Sequence, residues 1–193
     1  MEEKKLTEKE SLELISQMIR NTRLRLEQGN GIPFLIWGYT TFFVSLVVNY
    51  LITKTGNYQY NWLWFAIPVI GSVGMFISKK NNPKKSMNYV DRIIASIWTV
   101  IGIAVFSIAL SAFFVRIPVL SLMLLLMGIG TALTGMVIKF KPVIVSGFIG
   151  MASCAIPFVI KGSEQMIVFG FIFLIMMVIP GHILNYMGRR KHV

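Results

Sequence analysis

Residues Ile93 to Ile138 form a run of 46 amino acids that carries a single charge, Arg116. As one helix rising 1.5 Å per residue it would reach about 70 Å, more than twice the roughly 30 Å hydrocarbon core of a bilayer. The run must fold back on itself, and Arg116-Ile117-Pro118 is the place, because a charge avoids hydrocarbon and proline does not continue a helix. The result is two helices in a tight hairpin. A second tract, Val143 to Met187, is divided in the same way by Lys161-Gly162-Ser163-Glu164. Earlier, Pro33 to Thr53 is long enough to span, Lys54 to Tyr60 is a polar turn, and Asn61 to Ser78 is a second span. Tyr50, Tyr58, Tyr60, Trp62 and Trp64 crowd that turn as an interfacial aromatic belt would.

The expected fold is therefore all-α: a polytopic membrane protein with six transmembrane helices arranged as three hairpins, preceded by a cytoplasmic amphipathic helix. The leading helix occupies residues 1–31 and the membrane domain 32–188, with spans at about 33–53, 61–78, 93–114, 117–138, 143–160 and 166–187. A basic tail, 189–193, follows. Composition agrees, since 55% hydrophobic residues, 14% charged residues and a mean hydropathy of +0.68 are too apolar for a domain with a water-facing surface. The net charge of +11 would suggest nucleic acid in a soluble chain. Here the basic residues sit in short segments beside apolar runs, so their expected partner is an anionic lipid face and not nucleic acid. The one cysteine, Cys154, cannot form an internal disulfide.

The basic segments also orient the chain. Sixteen of the nineteen Lys and Arg residues fall on one side of the six crossings, including five in the loop from Lys79 to Arg92, and three, Lys54, Arg116 and Lys161, fall on the other. By the positive-inside rule both termini are cytoplasmic.

Thr7-Glu8-Lys9-Glu10 is a capping box that starts a helix near Glu8, and Gly29-Asn30-Gly31 stops it. Acidic residues fill its first turns and arginines its last, the order that complements the helix dipole. Leu12, Ile15, Met18, Ile19 and Leu26 gather on one side at about 100° per residue. This face either lies on the membrane surface and the protein's own loops or docks to a cytosolic partner or a second copy. The stretch LTEKESLELISQMIRNTRLRLE followed by GIPFLIWGY resembles the start of a group of small, uncharacterised bacterial multispan proteins. That resemblance covers about the first fifty residues and implies a bacterial inner-membrane setting, with no activity or site residues to carry over.

Ile36-Trp37 recurs as Ile97-Trp98, and Gly74-Met75-Phe76-Ile77 as Gly135-Met136-Val137-Ile138, both 61 residues later. A shared offset suggests that the first two hairpins are copies in one orientation. Gly71, Gly74, Gly128, Ala132, Gly135, Gly147 and Gly150 stand at spacings of three and four, which lets helix backbones approach closely.

Chemistry is harder to find. No acid, lysine or arginine lies within a span, where burying one would be costly and usually functional. His182, His192 and Cys154 lack the number and spacing of a metal site, so no cofactor is expected. Ser146-Gly147 and His182 resemble the pair used by intramembrane serine proteases of the rhomboid type, but Ile144 stands where their Gly-x-Ser-Gly pattern has its first glycine. Pro180, His182 and Asn185 are the most unusual polar group in a span and a candidate solute pathway, with Pro68 and Pro157 as further kinks. Two functions follow. One is a non-enzymatic anchor, sensor or regulatory partner acting through its leading helix; the alternative is a small transporter or channel component working as an oligomer.

Overall fold

The computed structural model describes residues 31–81, 89–160 and 162–190. The expected leading helix, with Leu12, Ile15, Met18, Ile19 and Leu26, lies outside the described residues, as do 82–88 and 191–193. The described residues are all-helical, and six helices are long and apolar enough to cross a membrane: α1 (Gly31–Thr55), α2 (Tyr58–Lys80), α3 (Tyr89–Ser111), α4 (Val119–Val137), α5 (Lys141–Val159) and α6 (Glu164–Met187). Lys79, Lys80, Lys139 and Lys141 mark one end of the bundle, called the basic end below. The turns at Gly56 and around Arg116 mark the opposite end.

Burial divides these helices into a core and a periphery. In their most apolar stretches 56% of α6, 44% of α4 and 39% of α1 is buried, against 6% of α2 and of α3. In hydrocarbon this difference does not come from apolarity, because lipid tails are as apolar as leucine; it comes from surfaces that fit. The buried positions of α1 are Gly31, Phe34, Gly38, Thr41, Ser45, Val48 and Ile52. Their strict three-four alternation is the seam of a left-handed helix pair, with the smallest residues once every seven. Opposite them runs α6, antiparallel. A β-carbon on Gly38 would fall 2.6 Å from a Val178 methyl, one on Gly181 would fall 3.1 Å from the Phe34 β-carbon, and one on Gly170 would collide with the Ser45 hydroxyl. The end of the seam away from the basic end is tied by Thr53 Oγ1 and Ser163 Oγ, 3.0 Å apart.

The most extensive contact joins α4 to α5, neighbours through the turn at Lys139, whose positive φ of 54° tightens the reversal. The glycines at spacings of three and four make this contact. A β-carbon on Gly128 would lie 2.6 Å from the Met151 amide nitrogen, and one on Gly135 would lie 2.6 Å from that of Ile144. Backbone meets backbone here.

The peripheral helices are held by tryptophans. From α1, the Trp37 indole lies against Gly71 of α2, with Ile36 beside Gly74. From α3, Trp98 reaches α4 beside Gly130, donates from Nε1 to Thr134 Oγ1 at 3.1 Å, and meets Phe34 edge-on at 6.5 Å. Under the 61-residue offset Gly71 corresponds to Ala132, which Gly130 and Thr134 bracket, so both indoles rest at matching heights on the helix that follows them. The Thr134 hydroxyl itself donates to the Gly130 carbonyl at 2.7 Å. Trp98→Phe therefore removes one bond without leaving Thr134 unpaired, and is expected to cost about 1 kcal/mol. The midpoint of thermal unfolding in bilayer discs should fall by about 2–4 °C; no change would mean that the bond is not held in the bilayer.

Three prolines each follow an irregular turn. Tyr58–Phe65, a 3-10 segment, precedes Pro68; Ser153–Ala155, also 3-10, precedes Pro157; Leu174–Val178, a π turn, precedes Pro180. Proline lacks the N–H that would satisfy the carbonyl four residues back, and the local change of winding redistributes those bonds. Thus the Ile156 amide donates to the Ser153 carbonyl, the one that Pro157 leaves free, while in the π turn before Pro180 the Ile179 amide reaches back five residues to the Leu174 carbonyl.

Candidate functional site

The 3-10 segment at the start of α2 brings a run of aromatic and amide side chains into the bundle. With three residues per turn, side chains three apart align. Trp62 lies near Phe65 at 5.6 Å, and both meet Phe113, in the turn just after α3, at 4.9 and 6.1 Å. Trp64 turns inward and meets Phe169 of α6 edge-on at 5.4 Å. Three members of the expected aromatic belt, Tyr58, Trp62 and Trp64, thus line one space, Tyr58 and Trp62 from its exposed rim, while Tyr50 is exposed and lies apart from it.

That space is a cavity of about 740 Å³ in the half of the bundle away from the basic end, walled by all six helices. Its volume lies in the range of small-molecule sites. The lining is graded along the membrane normal. Tyr58, Gln59, Asn61, Ser121 and Gln165, all at helix ends, supply polar atoms near the mouth; Trp37, Met127, Phe169 and Phe173 form the depth. Phe173 lies nine residues inside α6, so the cavity reaches about 13 Å down, close to half of the hydrocarbon thickness. Among the described residues, no acid, lysine, arginine or histidine lines it.

Two residues of the wall stand apart. Ser121 is 5% exposed and its hydroxyl has no hydrogen-bond partner, a costly condition for a buried polar group. Gly102 of α3 is exposed, and a β-carbon there would meet no atom within 4 Å. It leaves a notch in the wall that faces out between α2 and α3.

The residues singled out from sequence are distributed differently. Pro68 and Pro157 both line the cavity. Pro180 is fully buried and borders a separate shallow groove between α5 and α6, together with Ser146 and Ile183. His182 is exposed, with Nε2 2.8 Å from the Tyr39 hydroxyl and the two rings edge-on. Asn185 sits against Gly31. Pro180, His182 and Asn185 thus do not surround one space. The Ser146 hydroxyl donates to the Val143 carbonyl at 3.0 Å and is not bonded to His182. Among the described residues, no three His, Cys, Asp or Glu side chains come together as metal ligands.

Sequence reasoning passed over Ser121 and Gly102. Each is a single small residue in an apolar helix, and what distinguishes them is the space beside them. No family model, curated protein or solved structure matches this chain.

Proposed function

We infer that this is a non-enzymatic sensor or regulatory anchor of the bacterial inner membrane. Its six helices follow one another as three hairpins in sequence, with both termini and the leading amphipathic helix in the cytoplasm. An uncharged ligand occupies the outward cavity, and the face of Leu12, Ile15, Met18, Ile19 and Leu26 passes the occupied state to a cytosolic partner or a second copy. One observation carries this reading: a single helix joins the cavity to the root of the leading segment. In α6, Phe169 and Phe173 line the cavity, the π turn Leu174–Val178 follows, and Gly181 then lies against Gly31, where the described chain begins. Single π turns within α-helices mark functional irregularities more often than chance, and this one stands between input and output.

The alternative, a small transporter or channel component, would want a continuous polar path. Pro180, His182 and Asn185 do not extend the cavity, and its lining is uncharged, so the observations favour the sensor. Crosslinking in native membranes separates the two. The full chain is expected to give discrete protein contacts that disappear when residues 1–30 are removed, while the truncated chain still inserts. Unchanged contacts would overturn the reading, as would liposome solute flux abolished by His182→Ala and Asn185→Ala.

A further inference from the structure

The grading of the cavity, its notch and its unpartnered hydroxyl specify a ligand more closely. We propose that the cavity takes the chain of a single-chain amphiphile with an uncharged polar group, of the monoacylglycerol class, admitted from the bilayer through the Gly102 notch and held by Ser121. This rests on the cavity being the ligand site.

Three features of the wall support the assignment. Its depth is aromatic and thioether, which suits a hydrocarbon chain. Its mouth carries amides and hydroxyls at the ends of α2, α4 and α6, the depth at which an amphiphile's polar group meets water. Among the described residues its lining holds no cation to offset a carboxylate or phosphate, and burying an unpaired charge there would be costly.

The side opening supplies the route. α2 and α3 are the least buried helices, Gly102 lines the cavity and is exposed, and Phe106 beside it is 56% exposed, so this wall faces lipid and not water. Above the notch Trp62 and Phe113, the latter in the turn after α3, lie 4.9 Å apart. A chain already lying in the outward leaflet slides in at Gly102 without crossing an aqueous phase. Ser121, two residues into α4, then turns about χ1 to hydrogen-bond the polar group, ending its unpaired state.

The full chain in bilayer discs is photolabelled with a monoacylglycerol carrying a diazirine near its chain end, and the labelled residues are mapped. Saturable labelling is expected at Met127, Phe169 and Phe173, and unlabelled monoacylglycerol should compete it away. Ser121→Ala should weaken apparent affinity about 3- to 10-fold, the loss of one hydrogen bond. Gly102→Leu, which the open space at that position tolerates, should lower labelling by about tenfold or more by filling the notch. The corresponding diazirine fatty acid, tested at a pH where it is ionised, should label the cavity poorly. Cavity labelling by the ionised acid equal to that by the monoacylglycerol, or labelling indifferent to Ser121→Ala, would overturn the assigned class and leave the cavity a ligand site. Labelling spread over the exposed faces and unchanged by Gly102→Leu would overturn both.

Discussion

Gly147→Val is expected to force α4 and α5 apart and strongly destabilise the bundle. A β-carbon on Gly147 would fall 2.7 Å from the Ala132 α-carbon and collide with the Ala132 amide nitrogen, and neither atom can move without moving α4. Overpacking of an interior costs about 1–3 kcal/mol when side chains can yield, and more when they cannot. With lipid able to solvate the separated faces, no hydrophobic term pulls the helices back together. A loss of about 3 kcal/mol or more lowers the thermal midpoint by roughly 6–12 °C in a chain of this size. The control is Gly150→Ala, where the obstacle is the flexible Met176 thioether and the expected loss is about 1 kcal/mol or less. Gly102→Ala, with open space around it, should cost nothing and gains helix propensity. Equal midpoints for Gly147→Val and the parent protein would mean that α4 and α5 do not pack as described.

Trp37→Ala should release α2 and leave the core intact. The indole against Gly71 is the main ring contact that the inner part of α2 makes with α1, and α2 has little other burial. Truncating an interior tryptophan costs about 3–5 kcal/mol. Trp37 is half-buried and lipid can fill its place, so about 2 kcal/mol is expected here, a factor of about 30 in the opening of α2. Hydrogen exchange should rise over Ala66–Asn81 and stay unchanged over Val119–Val137. Because Trp37 also lines the cavity, occupancy should fall in the same variant. Uniform acceleration across all helices would mean that α2 is not an independently opening unit.

Much of this architecture is legible in the order of the residues. Arg116-Ile117-Pro118 and Lys161 to Glu164 mark reversals because charge and proline act locally. The glycines of α4 and α5 announce a close contact because only small residues allow one. The pairing of α1 with α6 was equally written, as Gly31, Gly38 and Ser45 at intervals of seven, but an apolar helix in lipid shows no polar face to draw attention to it. In such a helix the buried side is the smaller and more polar one, the reverse of a soluble protein. The cavity was not legible, since it is a volume left between helices, and Ser121 differs from the bonded Ser107 only by what surrounds it. The pathway suggested at Pro180, His182 and Asn185 came from residue type, whereas their directions around α6 depend on the π turn just before them.

The antiparallel seam of α1 with α6 also sets an order of events during synthesis. α4 and α5 can clasp as soon as both have entered the bilayer, but the residues that tie α1 to α6, such as Thr53 and Ser163, are 110 positions apart. Of the six spans, α1 leaves the ribosome earliest and is therefore the one that waits longest for its neighbour, holding Gly38, Thr41 and Ser45 against lipid or a chaperone in the interval. Truncated nascent chains should accordingly remain open until the last helix arrives.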